Sequence, residues 1–125
     1  ILLVDDSAEF LESAARLLML HQNLSIVGRA ASGRSALEQV AVLNPDLVLM
    51  DLAMPGMNGL ETTRQIKAAP AAPCVVIMTL YDVAEYRAAA RAAMADGFIA
   101  KSSIRSQFLP MLASLFPDRA AVDGD

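Results

Sequence analysis

The chain has 125 residues, of which 55% are hydrophobic, and its formal net charge is −4. This length suits one domain that buries roughly two-thirds of the surface exposed by its unfolded chain. The acidic balance argues against direct binding of nucleic acid. No apolar run reaches the length of a membrane span, and no signal-peptide pattern is visible. The one cysteine, Cys74, lies in an apolar run, so we expect a small buried side chain and no need for an oxidising compartment.

Short apolar runs alternate along the chain with segments of helical spacing. The sequence predicts strands at 1–4, 24–30, 47–50, 74–78 and 97–100, and helices at 7–20, 35–43, 60–69, 82–95 and 103–115. In the first helix the predicted inward stripe is Phe10, Ala14, Leu17 and Leu18. The fourth helix is rich in alanine, which offers little side chain for packing, and Pro110 interrupts the last helix. Five successive βα units predict an α/β fold of the flavodoxin-like type, a doubly wound parallel sheet in the order 2-1-3-4-5.

The third predicted strand leads straight into a carboxylate, Asp51. This strand is wholly apolar and is bounded by Pro45 and by Pro55-Gly56, as expected for a strand covered by helices on both faces. Ligands bind at the carboxyl ends of such strands. Asp51 therefore has two interpretations from this stretch alone, a helix cap or the centre of a functional site.

The predicted order of strands resolves this choice, because polar residues follow four strands that end at one edge of the sheet. These residues are Asp5 and Asp6, then Asp51, Thr79 and Lys101. Each has an ordinary explanation by itself: the aspartates as helix caps, Thr79 as a typical strand residue and Lys101 as a cation at the end of a strand. Together, three repelling carboxylates require compensation: one lysine offsets one charge, and a divalent cation such as Mg²⁺ offsets two. A lysine, a hydroxyl and a metal around one carboxylate suit a phosphoryl group, and no glycine-rich nucleotide loop is present. Asp51 is the predicted phosphoryl acceptor.

The sequence resembles the receiver domain of bacterial two-component response regulators, over residues 1–116. The resemblance depends on four segments: Leu3 to Asp6, Met50 to Gly59, Met78-Thr79 and Gly97 to Lys101. The segments Thr79 to Asp82 and Gly59 to Glu61 are similar to the LuxR/NarL-type branch, whose members usually carry a C-terminal DNA-binding domain. Residues 117–125 lack periodicity and are interpreted as the start of a linker to such an output domain. The chain has no initiator methionine and starts within a predicted strand, so we expect it to be part of a longer protein.

The resemblance implies a metal site and a phosphoryl acceptor. Asp51 would take the phosphoryl group from the phosphohistidine of a sensor histidine kinase or phosphotransfer domain. Asp6, Asp51 and the backbone carbonyl of Ala53 would ligate Mg²⁺ directly, and Asp5 would act through water. Lys101 would pair with the phosphoryl group. The resemblance further implies a cytoplasmic signalling domain that is not itself an enzyme, with homodimerisation on phosphorylation, no membrane contact, and DNA contact only through an output domain.

The resemblance also implies a switch, in which Thr79 bonds to the phosphoryl group and Phe98 swings inward. We expect a phosphotransfer helix to dock on a second apolar ridge of the first helix, Leu11 and Ala15. We further expect ordering of Thr79 to affect residues 80–104.

Four positions depart from the family pattern. Ser102 replaces a proline that often follows the lysine, and Leu80 is larger than the residue that usually follows the threonine. Ala53 and Tyr81 occupy positions where polar side chains help to orient the hydrolytic water. The last two substitutions predict a long-lived phosphorylated state.

Four alternatives to this function are compatible with parts of the pattern. A haloacid-dehalogenase-like phosphatase would need a second aspartate where Ala53 stands, and a flavodoxin would need a phosphate loop where Asp5 and Asp6 stand. A degenerate receiver used only for protein contact is excluded by the intact set of residues. A free-standing relay receiver remains open.

Overall fold

A computed structural model describes residues 1–54 and 58–117 of the chain. Its strands are β1 (Leu2–Val4), β2 (Gly28–Ala30), β3 (Leu47–Asp51), β4 (Cys74–Thr79) and β5 (Gly97–Ala100). Its helices are α1 (Ala8–Leu18), α2 (Gly33–Leu43), α3 (Gly59–Lys67), α4 (Ala84–Ala92) and α5 (Ile104–Leu115), with a short 3₁₀ turn at Lys101–Ser103. All five strands are parallel, in the order β2-β1-β3-β4-β5, which confirms the predicted flavodoxin-like fold.

The sheet separates two apolar cores. On one face, α2, α3 and α4 contribute Ala36, Ile66 and Ala90 to a cluster with alternate residues of the sheet. On the other face, α1 and α5 pack against the remaining residues of the strands. Every residue of β1 and β3 is buried, as expected for central strands with helices on both sides.

The inward face of α1 differs from the predicted one. The buried residues are Leu11, Ala14, Ala15 and Leu18, whereas Phe10 and Leu17 are only partly buried. These four positions follow the spacing i, i+3, i+4 and i+7 from Leu11, so the stripe begins one residue later than predicted. Leu11 and Ala15 therefore belong to the core, and the prediction that they form an exposed docking ridge is wrong.

Several element boundaries also differ from the prediction. β2 begins at Gly28 rather than at residue 24. Leu24 and Ile26 pack against the core, as expected of strand residues, but they do so from the loop before β2. In α4 only Ala90 is buried, and every residue from Tyr81 to Ala88 is exposed, which agrees with the expectation of loose docking. Pro110 lies within α5, which continues to Leu115.

Three further local expectations concern single residues or short segments. Ser103, predicted as the first residue of the last helix, instead precedes α5 and makes no side-chain cap bond. Cys74 is half-buried rather than buried, because it begins β4 at the amino edge of the sheet, and burial raises the pKa of its thiol. The predicted linker lies almost entirely outside the described residues.

An ion pair connects elements at the amino-terminal edge of the sheet. Lys67 Nζ lies 2.8 Å from Asp96 Oδ2, and the same oxygen accepts the Val75 N–H at 2.8 Å. The Asp96 N–H in turn donates to the Val75 carbonyl at 2.8 Å. These contacts join the end of α3 to the starts of β4 and β5, at the opposite edge from Asp51. No helix in residues 1–54 and 58–117 combines the length and the hydropathy that a membrane span requires.

Candidate functional site

The carboxyl ends of four strands bring the predicted site residues together. Asp5 directly follows β1, Asp51 ends β3, Thr79 ends β4 and Lys101 directly follows β5. Carboxylate oxygens of Asp5, Asp6 and Asp51 lie within 4.8 Å of one another. The acidic cluster expected from the sequence is therefore present at this edge of the sheet.

Burial distinguishes the three carboxylates of this cluster. Asp5 is 0% exposed and Asp51 is 5% exposed, whereas Asp6 is exposed to solvent. Burial raises the pKa of Asp51, and the negative charge of Asp5 raises it further. The ammonium of Lys101 acts in the opposite direction on the pKa of Asp51. Since the charged form is disfavoured on balance, the position of Asp51 is electrostatically costly without further positive charge.

Lys101 lies between the two buried carboxylates. Its Nζ atom donates to Asp5 Oδ2 at 2.5 Å and lies 3.2 Å from Asp51 Oδ1. The side chain of Lys101 is 10% exposed, so these contacts are little screened by solvent. The same Nζ atom lies 4.3 Å from the centroid of the Phe10 ring.

The start of α1 is built on Asp5. The Ser7 N–H donates to Asp5 Oδ1 at 2.8 Å, and the Ser7 hydroxyl accepts the Phe10 N–H at 3.2 Å. Ser7 is therefore the helix N-cap, and Asp5 holds the cap in place. Asp5 therefore supports the first turn of α1 as well as the candidate site.

A glycine allows α3 to begin close to Asp51. A Cβ atom on Gly59 would lie 2.0 Å from the backbone oxygen of Asp51, an impossible contact. The Gly59 N–H donates to the Leu52 carbonyl at 3.0 Å, and Asn58 caps the helix by accepting the Glu61 N–H at 2.9 Å. The Asn58-Gly59 pair thus places the start of α3 against Asp51 and Leu52. Pro55, Gly56 and Met57 of that loop lie outside the described residues.

The hydroxyl of Thr79 is buried at the end of β4. Thr79 is 3% exposed, and its hydroxyl accepts the Tyr81 N–H at 3.1 Å. The Tyr81 side chain is 65% exposed and Leu80 is 71% exposed. A tyrosine so exposed offers little cover to the site, so the prediction of a long-lived phosphorylated state depends mainly on Ala53.

The predicted switch residue Phe98 is half-buried on β5 and contacts a cation of α4. The Arg87 guanidinium lies 4.8 Å from the centroid of the Phe98 ring. Arg87 also donates two hydrogen bonds to the Asp82 carboxylate, at 2.6 and 2.7 Å. The loop after Thr79, helix α4 and Phe98 are therefore joined through one arginine.

The family model for the response regulator receiver domain matches residues 1–113. The chain belongs to this family. A receiver domain is a signalling domain of phosphorylation-based systems, so the resemblance predicted from the sequence is confirmed.

Two curated relatives illustrate the range of proteins that contain a similar domain. A protein-glutamate methylesterase/protein-glutamine glutaminase of Geobacillus kaustophilus is 41% identical over 104 residues, covering 82% of this chain and 30% of that protein. The nitrate/nitrite response regulator NarL of Escherichia coli is 34% identical over 101 residues, covering 81% of this chain and 47% of NarL. The chain thus spans less than half the length of these relatives.

Solved structures of receiver domains agree with the fold. The signal receiver domain of the putative response regulator NarL from Mycobacterium tuberculosis superposes with a TM-score of 0.82, at 28% identity, covering 96% of this chain and 94% of that one. The response regulator domain of Thermotoga maritima CheB gives a TM-score of 0.75 at 27% identity, covering 96% and 91%. The receiver of a NarL-type regulator and that of a CheB protein are therefore both similar to this chain.

Three features of the site were missed by the sequence analysis. They are the ring of Phe10 at Lys101, the arginine at Phe98 and the close approach of Gly59 to Asp51. Only the glycine carried a signal in the sequence, as part of an Asn-Gly turn. The other two contacts join segments far apart in the chain, so no local pattern indicates them.

Proposed function

We propose that Asp51 accepts a phosphoryl group from the phosphohistidine of a sensor histidine kinase or a phosphotransfer domain. The observation that carries this proposal is the position of Asp51, 3.2 Å from the Lys101 ammonium and within reach of two other carboxylates. A carboxylate oxygen of Asp51 forms a bond to phosphorus as the bond from phosphorus to the histidine nitrogen breaks. The electron pair of that bond returns to the imidazole. Lys101 is placed to neutralise charge on the phosphoryl oxygens.

The donor set suits Mg²⁺, which we propose as the cofactor. Three carboxylates and one ammonium leave two negative charges in excess, and carboxylate oxygens are ligands that Mg²⁺ favours. Both oxygens of Asp5 already accept protein donors, from Ser7 and Lys101. This supports an indirect role for Asp5, with direct ligation by Asp6, Asp51 and the carbonyl of Ala53. When bound, the cation neutralises charge that develops during phosphoryl transfer.

We propose that Thr79 and Phe98 relay the phosphorylated state. The Thr79 hydroxyl is buried at the carboxyl end of β4 and holds the Tyr81 N–H. The Thr79 hydroxyl has its O–H available to donate to a phosphoryl oxygen on Asp51, and a movement of the hydroxyl towards that oxygen would shift the Tyr81 N–H and the loop with it. Asp82 of this loop accepts hydrogen bonds from Arg87, and the Arg87 guanidinium contacts the Phe98 ring. A movement of the loop therefore changes the contact between Arg87 and Phe98.

The proposed output is regulation of transcription through a DNA-binding domain elsewhere in a longer protein. The similarity to NarL and the LuxR/NarL-like segments support it. A second candidate is control of an attached enzymatic domain, and the 41% identical methylesterase relative favours it. The complete reading frame distinguishes these outputs from a free-standing relay. We also propose cytoplasmic location and homodimerisation on phosphorylation, which light scattering before and after phosphorylation would test.

Acceptance of the phosphoryl group is tested with acetyl phosphate, Mg²⁺ and intact-mass measurement. The wild-type chain should gain one phosphate, and Asp51→Asn or an excess of chelator should abolish the gain. The matched control is Asp96→Asn, the same chemical change at the opposite edge of the sheet, which should retain labelling. Undiminished labelling of Asp51→Asn would exclude Asp51 as the acceptor.

A further inference from the structure

Four residues near the site form a closed ring of contacts. Asp5 Oδ1 accepts the Ser7 N–H, the Ser7 hydroxyl accepts the Phe10 N–H, and the Phe10 ring faces Lys101 Nζ at 4.3 Å. Lys101 Nζ then returns to Asp5 Oδ2 at 2.5 Å. The position of the Phe10 side chain therefore depends on Asp5, the same carboxylate that binds Lys101.

Phe10 packs at the margin of the core, and its ring also has a contact outside the core. The buried stripe of α1 starts at Leu11, and Phe10 is only partly buried beside it. Its aromatic face meets a cation, which is attracted to the negative face of the ring. That attraction strengthens where solvent is excluded, and the Lys101 side chain is 10% exposed.

We propose that Phe10 is a positioning residue for Lys101 in phosphoryl transfer to Asp51. This inference rests on the proposed function, because it concerns the lysine of the same site. Lysine is a compact charge on a flexible four-carbon stem, and its three donors fix its position poorly. The Phe10 ring gives the ammonium a third contact in addition to those with Asp5 and Asp51.

The position matters because Lys101 contacts the two carboxylates unequally. Its Nζ atom lies 2.5 Å from Asp5 and 3.2 Å from Asp51. With Phe10 in place, the ammonium remains within reach of groups attached to Asp51. Without the ring, the ammonium gains solvated rotamers, and fewer molecules present the lysine to the transferring group. The maximum rate of phosphorylation should fall more than the affinity for the phosphodonor changes.

The contact itself is tested by NMR of the lysine side chains. The chain contains two lysines, Lys67 and Lys101, so selective labelling gives two sets of signals and an internal reference. The ring current of Phe10 should shift the Hε and ammonium signals of Lys101 upfield relative to those of Lys67. Phe10→Leu should remove the shift, and Phe10→Tyr should retain it. A wild-type Lys101 without an upfield shift would overturn the proposal, whether or not the chain is phosphorylated.

The effect on phosphorylation is tested in the 125-residue chain with acetyl phosphate and saturating Mg²⁺. Phe10→Leu keeps an apolar side chain but removes the ring, and its maximum rate should fall by about threefold to tenfold. Phe10→Tyr, which retains the ring face, should recover most of the wild-type rate. The donor concentration at half-maximal rate should change little in either variant.

A control separates positioning from stability. Phe108 is a buried phenylalanine of α5 on the same side of the sheet, and Phe108→Leu removes a ring from the core. This variant should lose stability yet retain both the Lys101 shift and the phosphorylation rate. If Phe10→Leu loses the shift but transfers at the wild-type rate, the positioning role is wrong. Absence of labelling in the wild type, with the lysine shift present, would instead contradict the proposed function.

Discussion

Thr62 and Thr63 are adjacent, both are 0% exposed, and they differ in one respect. The Thr62 hydroxyl donates to the Asn58 carbonyl at 2.9 Å, one turn earlier in α3. The Thr63 hydroxyl is buried and has no hydrogen-bond partner in the part of the chain that the structure describes. Valine has nearly the same shape as threonine, so Thr→Val at each position isolates the contribution of the hydroxyl.

At position 63 the substitution removes an unsatisfied polar group, whose burial costs about 1–3 kcal/mol. It also adds a buried methyl group, while the helix propensities of threonine and valine are similar. Thr63→Val should therefore raise the free energy of unfolding by about 1–2 kcal/mol.

At position 62 the substitution breaks a hydrogen bond with a net contribution of about 0.5–1.5 kcal/mol. The Asn58 carbonyl still accepts the Thr62 backbone N–H at 3.1 Å, so it is not left unpaired. Thr62→Val should thus cause a loss of no more than about 1 kcal/mol, and the two variants should move in opposite directions.

Urea unfolding of wild type and both variants measures these changes, with unchanged m-values as the check that the unfolded states are comparable. Thermal midpoints should shift by about 3–5 °C for each kcal/mol in a chain of this size. If Thr63→Val is as destabilising as Thr62→Val, the Thr63 hydroxyl has a partner such as a buried water, and the reasoning fails.

Other residues give shorter tests. Leu11→Asp should lower the free energy of unfolding by more than about 3 kcal/mol, because it buries a charge in the core. Phosphorylation by a kinase and by acetyl phosphate should therefore be lost together. Loss of phosphorylation by the kinase alone would support a docking role for Leu11. Arg87→Gln should free the Phe98 ring and strengthen beryllofluoride binding about twofold to threefold, measured by NMR titration, and unchanged binding would exclude a restraining role. The hydrogen bonds from Arg87 lower the pKa of Asp82. Their contribution to stability is therefore fully present above the ordinary carboxyl pKa of about 4 and is lost as the pH falls through the lowered pKa. NMR titration of the Phe98 ring should show this transition at acidic pH, and Asp82→Asn should remove it. Ala53→Asn should shorten the lifetime of the phosphorylated chain, followed by intact mass after removal of the donor, and an unchanged lifetime would show that Ala53 does not limit hydrolysis.

The sequence predicts the sheet order and the grouping of the acidic residues because both follow from short-range patterns. Apolar runs bounded by turn formers indicate buried parallel strands, and parallel strands bring their carboxyl ends to one edge. Asp51 ends such a run directly. Its position relative to Asp5 therefore follows from topology alone, without knowledge of any side-chain rotamer.

The predictions of the inward face of α1 and of the first residue of β2 were wrong for a common reason. Phe10 and Leu24 are apolar, and a pattern of apolar positions does not distinguish a core residue from one that packs at its margin. Phe10 lies beside the stripe, where its ring contacts Lys101, and Leu24 reaches the core from a loop. Both exceptions depend on tertiary contacts, which outweigh local periodicity.

Asp5 links the stability of the fold to the chemistry of the candidate site. One of its oxygens holds the cap of α1, and the other binds Lys101, ninety-six residues later in the chain. Both oxygens of Asp5 are thus bound by donors of the protein. In contrast, burial and the charge of Asp5 raise the pKa of Asp51. This asymmetry gives two buried aspartates different roles. Asp5 organises the helix and the lysine, whereas Asp51, whose charge is incompletely compensated, is the carboxylate that we propose to engage a cation and a phosphoryl group.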